Sequence, residues 1–593
     1  MGLNKREVNV DLCVAGGGIA GTFAAIFAAR QGVKVALVGE RPVLGGNASG
    51  EIRMWICGAQ QKGYRESGLN EELNIKNYHY NPDKNPYLFD LTLLGLVKAE
   101  KNIELLLNAT VHAAETDGDT IKSVTAYQMT TQTEITVNAK YFADCSGDSI
   151  LAPLTGAAFM QGRDSKAETG ESMMHYGGEG DDKTMGNSLL IQARYVGKPV
   201  KFTAPDWAEK VPAEKLKSKG TCLTSPWENF WYLELGGNDD TIRDAEKINS
   251  RLMALCLGVW DTIKNSGEFD ADEYDLGFFG FLPAKRESRR MTGDYVMTAC
   301  DIVAGGKFPD TVAYGGWSLD DHNPDGFDGT ESNHAIPLDR TYGIPYRCLY
   351  SKNIRNLFFA GRNISMTHLA MSSARVMGTC GTLGEAVGAA VSVALRHGVN
   401  PREAGEFISE IQNILLENDC FLAHVGREVP LPTKTAALYC ARVENLEALR
   451  NGVDRNTPGE NNAARVYNGA PVIYDFGETD GKEQMIERVK IVFDSDFERE
   501  TFGDIPYPEK IHSMRCNVTP DSPTLFVPKT LAKSFAVTGE KSNGEQVMLY
   551  ETDRNLVRNF LLPVRDAYRK IMLVINSNYG DTEITPVFSF DVK

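Results

Sequence analysis

The sequence lacks the cysteine patterns that hold metals or build disulfide frameworks. Its eleven cysteines are scattered over 593 residues, are odd in number and include no C-x-x-C pair. No two histidines stand at the spacing that places both on one helical face as metal ligands. Iron–sulfur clusters and zinc sites of the usual spacing are therefore excluded, and we predict no metal site.

The same cysteine usage bears on the cellular compartment. Scattered, unpaired cysteines suit a reducing environment better than an oxidising one, in which disulfides persist. We therefore expect a cytoplasmic protein. The alternative is the periplasm, if an export signal has been removed from the N-terminus.

Positive charge is scarce as well. The chain carries 62 lysines and arginines against 79 aspartates and glutamates, a formal net charge of -17. Phosphate backbones and anionic membrane surfaces attract clusters of basic residues, which this composition does not favour. Nucleic acids and membrane surfaces are therefore not expected as partners.

Long apolar runs are almost absent. Residues 12–29 contain no charged side chain, but the glycines at positions 16, 17, 18 and 21 argue against a membrane-spanning helix there. We find no other segment long and apolar enough, so no membrane span is expected. The G-x-S-x-G and P-loop patterns of hydrolases and kinases are missing too.

What the sequence does contain is a strand, a glycine turn, a helix and a second strand within residues 11–49. Residues 11–15 form a short apolar run, and Gly16, Gly18 and Gly21 follow in G-x-G-x-x-G order. The first glycine permits a tight turn, the second lets backbone N–H groups approach a pyrophosphate, and the third lets the helix pack closely on the strand. The helix then points its positive dipole end at the phosphates.

An acid at the end of the second strand completes the pattern. Residues 33–38 are rich in valine, and Glu40 follows Gly21 by 19 residues. At this offset a carboxylate accepts hydrogen bonds from the ribose hydroxyls of an adenosine. The segment therefore predicts a dinucleotide site.

The motif is not repeated. No second G-x-G-x-x-G with a flanking strand and helix appears later in the chain, so a dedicated NAD(P)H domain is not predicted. Electrons should then reach or leave the site through the substrate or through an external carrier. The redox cysteine pair that a disulfide reductase needs is missing as well.

The residues that follow Glu40 resemble a known family. Residues 45–49 read GGNAS and residues 51–53 read EIR. Here the chain resembles the FAD-dependent oxidoreductases of the glutathione-reductase-type fold, in particular the group of fumarate reductase and succinate dehydrogenase flavoproteins. It is more similar still to bacterial flavoproteins marked by GGNAS and an EIR-like segment, some of which carry the label xanthan lyase.

The resemblance extends to residues 102–111, 141–148 and 356–365, and it implies the cofactor. Many relatives have an aspartate where this chain has Arg362, which leaves the role of that residue open. The helix after residue 373 resembles the one that points at the flavin pyrimidine. The resemblance implies that FAD is bound non-covalently by Gly16, Gly18, Ile19, Ala20, Gly21, Glu40, Arg41, Gly45, Gly46, Asn47, Ala48, Ser49, Val111, Gly147, Asp148, Gly361, Arg362, Gly381 and Thr382.

The resemblance also implies an α/β fold with a division into domains. The expected parts are a glutathione-reductase-type FAD-binding Rossmann domain, an inserted α+β substrate domain and a C-terminal all-β jelly roll. We expect the first part of the FAD domain at residues 1–155, the substrate domain at 156–340, the second part of the FAD domain at 341–420 and the β-sandwich at 432–593.

The expected substrate domain is rich in aromatic residues and contains an arginine cluster. Residues 286–290 read RESRR and residues 317–322 read WSLDDH, and both resemble segments of the same family. Arginines fix anionic or polyhydroxylated ligands through forked donors. A solvated helix face with satisfied salt bridges is the alternative interpretation of the cluster.

The C-terminal region has a different pattern. Short apolar runs such as residues 489–493 and 571–575 are separated by Asn, Asp, Gly and Pro turns, which predicts an all-β sandwich. Residues 444–455 and 488–494 resemble discoidin-like, galactose-binding jelly rolls. Such modules bind sugars or brace a neighbouring domain, and we favour bracing because no aromatic platform is evident.

Together these features favour hydride transfer between flavin N5 and a polar small molecule. A sugar or a sugar-derived acid is the favoured substrate class, by association with the family and with the C-terminal module. Two alternatives remain: a polysaccharide lyase, and a sugar-binding protein that keeps the flavin fold as a scaffold. The intact glycine loops argue against both.

A proton carrier and cationic clamps complete the prediction. His368 lies seven residues after Gly361, just before the second flavin helix, and histidine titrates near neutrality. We predict His368 as the proton carrier and His322 as the second candidate; a histidine that only hydrogen-bonds the backbone is the alternative. Arg375 and Arg290 are predicted to clamp a carboxylate or hydroxyls of the substrate.

Overall fold

The computed structural model describes two compact units. It covers residues 2–61, 63–225, 228–457, 459–478, 481–497, 501–502, 505–506, 516–520, 522 and 524–593. The first unit comprises Met1–Gln60, Asp83–Ile411 and Glu509–Thr524, and the second comprises Gln61–Pro82, Gln412–Pro508 and Leu525–Lys593. The sequence did not indicate that residues 61–82 would join the second unit or residues 509–524 the first.

A seven-stranded, mostly parallel sheet forms the centre of the first unit. Its strand Val35–Val38 is buried throughout, as central parallel strands of an α/β fold are. The α/β fold with a parallel sheet is therefore confirmed. Six strands lie side by side in the order Ile103–Leu106, Val35–Val38, Asn4–Ala15, Thr133–Asp144, Thr120–Gln128 and Ala109–Asp117. The seventh, Leu357–Phe359, pairs in parallel with Thr133–Asp144. The two antiparallel pairs both involve Thr120–Gln128, which lies between Thr133–Asp144 and Ala109–Asp117.

The register of the parallel strands brings their carboxyl ends together. Ala15 lies beside Val38 and also beside Asp144, and Phe359 lies beside Asp144 from the other direction. In open α/β sheets, ligands bind outside this edge. Four loops therefore lie together at this edge of the sheet: those that follow the strands ending at Ala15, Val38, Asp144 and Phe359.

Two helices of the first unit pack closely through glycine. These are Ile19–Arg30 and Met377–His397. A Cβ atom on Gly384 would lie 2.1 Å from the carbonyl oxygen of Ala20, closer than any side chain permits. Glycine is therefore required where the two helix backbones meet.

The helix Met377–His397 also bears on the expected absence of a membrane span. In the part of the chain that the structure describes, it is one helix long and apolar enough to cross a membrane by length and composition. The expectation that no segment outside residues 12–29 would qualify is therefore wrong. Of its most apolar window, 94% is buried inside the protein, as in a core helix.

The region expected as the substrate domain belongs to the first unit and mixes helices with short strands. Its long helix Ala245–Asn265 packs through Leu252, Val259 and Trp260 into a hydrophobic cluster. The strands of this region are Phe159–Met160, Arg163–Ser165, Glu179–Asp181, Asn187–Ser188, Ile191–Tyr195, Glu234–Leu235, Tyr274–Phe279, Ala284–Lys285, Arg290–Met291, Thr311–Gly315, Leu319–His322 and Asn333–Ile336, and Tyr342–Pro345 follows just after it. The other helices of the first unit are Pro86–Lys98, Leu151–Thr155, Lys166–Thr169, Ala213–Ser218, Ala299–Val303 and His368–Ala374, and Ile408–Glu417 contains the boundary at Ile411.

The second unit is mostly β in its described residues; its helical parts are Leu69–Tyr80, the end of Ile408–Glu417, Leu431–Thr435 and the 3-10 helix Leu446–Arg450. Both of its five-stranded antiparallel sheets contribute side chains to one apolar core. The predicted all-β C-terminal region is therefore confirmed. One sheet has the strand order Ala437–Tyr439, Val472–Asp475, Lys570–Asn578, Ala532–Glu540 and Gln546–Thr552. The other has the strand order Val443–Glu444, Ala464–Tyr467, Ile584–Val592, Gln484–Phe493 and Asn559–Tyr568. The strands Thr501–Phe502 and Ile505–Pro506 form a separate pair.

Candidate functional site

A cavity of about 490 Å³ lies at the carboxyl edge of the parallel sheet. Its volume is in the range of small-molecule and cofactor sites. The loops that contain Gly16 and Gly45, the acid Glu40, and the residues that follow the strand Leu357–Phe359 all contribute to its lining. The sequence-predicted residues that line it are Gly16, Gly18, Ile19, Ala20, Glu40, Arg41, Gly45, Gly46, Asn47, Val111, Gly147, Asp148, Gly361, Arg362 and Arg375.

The three motif glycines of the first loop differ in how closely other atoms approach them. A Cβ atom on Gly16, whose φ is +117°, would lie 2.3 Å from the carbonyl oxygen of Cys145. One on Gly21 would lie 2.0 Å from the carbonyl oxygen of Gly16. Beside Gly18, which lines the cavity, a Cβ atom would meet no described atom within 4 Å. The open side of Gly18 is therefore a cradle for a ligand, while the other two glycines hold the turn against its neighbours.

The N-terminus of the first helix is open to a ligand. Gly18 is the N-cap of Ile19–Arg30 and makes no side-chain cap hydrogen bond. The first N–H groups of a helix have no intrahelical acceptor and attract anions, most of all phosphates. This helix end therefore suits a pyrophosphate.

The second glycine pair rests on the first loop. The Gly45 N–H donates to the carbonyl oxygen of Gly17 at 2.8 Å, and a Cβ atom on Gly46 would come within 3.1 Å of Gly18 Cα. The Asn47 side chain donates to the Lys285 carbonyl at 3.0 Å. This segment therefore braces the cradle and connects it to the short strand Ala284–Lys285.

Five predicted cofactor residues do not line the cavity. Ala48 and Ser49 are fully buried. The Thr382 hydroxyl donates to the carbonyl oxygen of Thr379 inside the helix Met377–His397. The residues of that helix that do line the cavity are Met377 and Cys380, so its N-terminus faces the ligand from its first turn. The five are Gly21, Ala48, Ser49, Gly381 and Thr382.

A charged cluster surrounds Asp148. Its carboxylate accepts hydrogen bonds from Lys285 Nζ and from Arg362 Nη2, both at 2.7 Å. Burial alone would favour the neutral acid, but Arg362 and Lys285 outweigh it and hold the Asp148 pKa below its usual value. Two cations thus share one carboxylate at this end of the cavity. Arg362 is therefore an ion-paired cation at the cavity wall.

The lining of the cavity fits FAD. It contains six basic side chains, Arg41, Lys285, Arg286, Arg289, Arg362 and Arg375, against three acidic ones, Glu40, Asp148 and Glu246. A positive excess, together with the open N-terminus of Ile19–Arg30, matches the charge of a diphosphate. Glu40 lies beyond the strand Val35–Val38 with 64% of its side chain exposed, as a ribose ligand at the rim of a site would be.

His368 lies outside the cavity lining, between two carboxylates. Its Nδ1 is 2.9 Å from Glu287 Oε2, and its Nε2 is 2.9 Å from Asp321 Oδ1. Burial disfavours the imidazolium, but Glu287 and Asp321 outweigh it and raise the His368 pKa to about 10. Near neutral pH the ring is therefore charged, with both nitrogens occupied. These contacts describe an ion-paired residue and do not favour a proton carrier.

His322 has a freer nitrogen. Its Nδ1 is 2.6 Å from Glu234 Oε2, and its Nε2 is 3.5 Å from Asp320 Oδ2. The ring is buried and does not line the cavity. Its carboxylate partners nevertheless connect it to the cavity wall, since Arg286 Nη1 lies 3.2 Å from Glu234 and Arg375 Nη2 lies 3.2 Å from Asp320.

One strand separates the two histidine networks. Successive side chains of a strand point to opposite faces. In the strand Leu319–His322, Asp320 and His322 therefore lie on the face of the cavity network, and Asp321 lies on the face of His368. The motif WSLDDH thus supplies both networks.

The two predicted arginine clamps differ. Arg375 lines the cavity. Arg290 is 1% exposed and is engaged by Glu287, by Asp164 and by the carbonyl oxygens of Met366 and Gly162. Its partners are protein groups, so its position does not support a role as a substrate clamp.

Sequence reasoning missed several lining residues. Arg286 was part of the RESRR motif but was not selected, and its contact with Ser188 Oγ at 2.8 Å could not be foreseen. Lys285, Glu246 and Asn187 carried no motif at all. A metal site was not predicted, and among the described residues no group of three metal-ligating side chains occurs.

Comparisons with solved structures give distant likenesses. A p-nitrophenol 4-monooxygenase from Pseudomonas putida is 12% identical over 70% of this chain and 86% of its own, with a TM-score of 0.31. An anhydrotetracycline hydroxylase from Streptomyces rimosus is 13% identical over 70% of this chain and 67% of its own, with a TM-score of 0.30. A family 32 carbohydrate-binding module from Streptococcus pneumoniae is 11% identical over 27% of this chain and 96% of its own, with a TM-score of 0.18.

The family comparison decides the class. No curated protein matches the chain. The sequence model of the family described as FAD dependent oxidoreductase matches residues 11–415, more than half of the chain. The matched stretch contains the glycine cradle, Glu40 and the cationic cavity. The protein is therefore a member of the FAD dependent oxidoreductase family, an oxidoreductase with FAD as its cofactor.

Proposed function

We propose that the protein transfers a hydride between FAD and a polar small molecule, a sugar or a sugar-derived acid. The observation that carries the proposal is one cavity whose lining has two parts: a backbone wall, the glycine cradle, and a side-chain wall that includes Asn187, Arg286 and Arg375. Bound FAD supplies the hydride donor or acceptor. The polar side chains of the side-chain wall are then available to orient a hydroxylated ligand.

The arginines of the second wall are held in place by acids. Glu234 fixes Arg286 and Asp320 fixes Arg375, each at 3.2 Å. Burial disfavours ionisation of Glu234, but Arg286 and His322 outweigh it and keep its pKa below the usual value. The carboxylates therefore remain charged at neutral pH, and the guanidinium groups stay oriented. Fixed donors of this kind position a ligand at a low entropic cost.

Proton transfer is assigned to His322 in this proposal. Both nitrogens of His368 are occupied, whereas His322 Nε2 is 3.5 Å from its nearest carboxylate oxygen. A histidine held at Nδ1 by a carboxylate can take or give a proton at Nε2. The catalytic role of His368 stays a prediction from sequence, which the contacts do not favour.

An anaerobic substrate screen tests the function. Purified holoprotein is mixed with neutral sugars, polyols and sugar acids, and the oxidised flavin absorbance is followed. We expect at least one compound to bleach the flavin, with free FAD as the control. In a second arm, prereduced protein is mixed with keto derivatives of the same sugars, which tests the opposite direction. No response in either arm would contradict the proposed substrate class.

We also propose a reducing, cytoplasmic environment. All eleven cysteines are free thiols, and many are buried, such as Cys13 and Cys256. Oxidising compartments favour disulfides in exported proteins. An external electron carrier completes the catalytic cycle, because a dedicated NAD(P)H domain is not predicted.

For the second unit we propose a discoidin-like jelly roll. Two five-stranded antiparallel sheets around one core support it. Whether this unit binds sugar is tested by measuring retention of the full chain on immobilised galactose and glucose.

A further inference from the structure

A buried amide without a partner lies in the lining of the cavity. Asn187 is 0% exposed and lines the cavity. Neither its amide nitrogen nor its amide oxygen meets a hydrogen-bond partner among the residues that the structure describes. Buried polar groups in proteins are almost always hydrogen-bonded, because an unmade bond costs free energy. A group bound in the cavity is therefore needed to complete the hydrogen bonds of this amide.

The strand register places Asn187 beside Lys285. The strand Asn187–Ser188 is the middle one of three, and Asn187 lies directly opposite Lys285 on one side and Leu235 on the other. Directly opposite residues of an antiparallel pair have their side chains on the same face of the sheet, and successive residues alternate between faces. Asn187 therefore shares a face with Lys285, and Ser188 belongs to the other face.

Lys285 is bonded to the loops at the carboxyl edge of the parallel sheet. Its carbonyl oxygen accepts a hydrogen bond from the Asn47 amide at 3.0 Å, and its Nζ donates to Asp148 at 2.7 Å. Asp148 also accepts from Arg362 Nη2 at 2.7 Å. Each of these three partners lines the cavity in a loop that lies beside the glycine cradle. The face that carries Asn187 is therefore the face joined to the cradle.

The other face of the short strand carries a separate network. The Ser188 hydroxyl accepts a hydrogen bond from Arg286 Nη1 at 2.8 Å, and Ser188 lies directly opposite Glu234. Glu234 pairs with Arg286 and with His322 Nδ1. This is the network to which the proposed function assigns substrate orientation and proton transfer. The strand thus separates Asn187 from the groups that serve the substrate.

The chemistry of the amide narrows the group that it can bind. A carboxamide donates through Nδ2 and accepts through Oδ1, so its oxygen needs an N–H or O–H donor. A diphosphate offers acceptors alone and would leave Oδ1 unpaired. In the flavin half of FAD, donors that stand beside acceptors occur at the ribityl hydroxyls and at the N3–H group between two ring carbonyls. Asn187 therefore matches a neutral part of the cofactor and not its diphosphate.

We propose that Asn187, which belongs to the region expected as the substrate domain, is a cofactor-binding residue that holds FAD through a neutral group able to donate and accept hydrogen bonds. FAD is then held by this inserted region as well as by the glycine cradle. The inference goes beyond the proposed function and does not depend on the identity of the substrate. Arg286 and Arg375 remain the side chains that orient the substrate.

A variant of Asn187 tests the contact with the cofactor. Asn187→Leu removes both hydrogen-bonding atoms at nearly constant volume. Release of FAD from diluted holoprotein is followed by flavin fluorescence, and the dissociation constant should rise about tenfold. Asn265→Leu, at an exposed position whose amide donates to Phe202 and Asp261, is the control and should bind FAD like the wild type. A wild-type dissociation constant in Asn187→Leu would overturn the inference.

The melting temperature of the FAD-free full chain separates cofactor binding from a structural role. In Asn187→Leu it should be no lower than in the wild type, because the amide has no described partner to lose. Asn356→Leu is the matched comparison, since this buried amide donates to the carbonyl oxygens of Ile121 and Lys140. That variant should melt at a lower temperature. A lower melting temperature in FAD-free Asn187→Leu would assign the amide to the fold and overturn the inference.

Cofactor analogues identify the group that the amide binds. Wild type and Asn187→Leu are reconstituted with 3-methyl-FAD, which lacks the N3–H donor, and with analogues that lack the 2′-, 3′- or 4′-hydroxyl of the ribityl chain. The advantage of the wild type over the variant, about tenfold with FAD, should disappear with the analogue that lacks the bound group. Its loss with 3-methyl-FAD assigns the ring edge, and its loss with a deoxy analogue assigns that hydroxyl. An advantage that persists with every analogue would overturn the inference and leave the proposed function untouched.

Discussion

The two walls of the cavity are built from different kinds of atoms. The cradle offers backbone: glycine carbonyl and N–H groups, and two helix N-termini. The side-chain wall offers side chains that acids from distant sequence positions hold in place, as Glu234 holds Arg286 and Asp320 holds Arg375. A backbone wall tolerates changes of side chain but not an added Cβ atom. A side-chain wall depends on the charge and shape of each partner.

The difference between a backbone wall and a side-chain wall separates cofactor binding from substrate specificity. Any dinucleotide of the same shape fits a backbone cradle, because the cradle recognises phosphate and ribose. Under the proposed function the substrate meets the side-chain wall, so we expect specificity to reside there. Four variants break or sharpen this contrast.

The largest effect is expected at Gly16. In Gly16→Ala, the new Cβ atom would lie 2.3 Å from the Cys145 carbonyl oxygen, and the φ of +117° adds strain. Overpacking costs about 1–3 kcal/mol and strained backbone about 1–3 kcal/mol more, so the loop must shift out of position. We expect purified protein with little or no FAD, measured by flavin absorbance.

Gly32→Ala is the control for that experiment. Its φ is also positive, at +88°, but a Cβ atom there meets no described atom within 4 Å. It should cost stability by about 1 kcal/mol and leave the FAD content unchanged. Normal FAD content in Gly16→Ala would contradict the backbone cradle.

The second effect concerns His322. His322→Ala should retain FAD, because the residue belongs to the network behind the side-chain wall. Substrate-dependent flavin reduction should slow by about 10² to 10⁴, the contribution of a positioned acid or base. Stopped-flow absorbance between pH 6 and 9 measures it. A variant that reduces at the wild-type rate over this range would remove His322 from the reaction.

The two walls also differ in how well the sequence predicts them. Glycine spacing determines backbone shape locally, so Gly16, Gly18 and Glu40 could be placed within about 30 residues of sequence. The other wall joins Asn187, Arg286 and Arg375, which no local pattern connects. Their contacts depend on how short strands pair, and a lone asparagine leaves no signal.

The same limit explains the two histidines. The sequence places His368 shortly before the helix Met377–His397, but its partners Glu287 and Asp321 come from 81 and 47 residues away. Burial by tertiary contacts decides whether a histidine titrates near neutrality. The parallel sheet and the all-β C-terminal region, by contrast, follow from local periodicity and were confirmed. The exchange of residues 61–82 into the second unit had no compositional sign.

The third effect is on stability. His368→Gln removes the cation between Glu287 and Asp321, and breaking a buried ion pair costs about 3–5 kcal/mol. The free energy of unfolding, from urea denaturation followed by circular dichroism, should fall by this amount at neutral pH. His397→Gln is the control, since His397 pairs with Glu410 at a more exposed site and is worth about 1 kcal/mol or less.

The pH dependence of that difference follows from the sign of the pKa shift. The His368 pKa is raised from 6.5 to about 10 in the folded protein. The stabilisation it provides is therefore complete below about pH 6.5 and is lost as the pH rises through 10. The gap between wild type and variant should narrow over this interval. The alternative outcome is a difference in the free energy of unfolding that does not change with pH, together with flavin reduction in His368→Gln that is slower by about 10² or more. That outcome would support the proton-carrier role predicted for His368 from the sequence.

The smallest effect is expected at Glu40, an acidic side chain beside the backbone wall. Its carboxylate lies at the rim of the cavity and is 64% exposed, 3.6 Å from Arg41. Glu40→Gln keeps an acceptor for one ribose hydroxyl but removes the charge. A hydrogen bond to a charged group is worth about 1.5–3 kcal/mol, and solvent exposure places Glu40 at the lower end, about 1.5 kcal/mol or tenfold in FAD affinity. Titration of deflavinated protein with FAD, followed by flavin fluorescence, measures the change.

Glu115→Gln is the control. Glu115 is an exposed acid of the same sheet that does not line the cavity, so this variant should bind FAD with unaltered affinity. If Glu40→Gln binds FAD as tightly as Glu115→Gln does, the cradle holds its cofactor through backbone alone and the contrast between the two walls is complete.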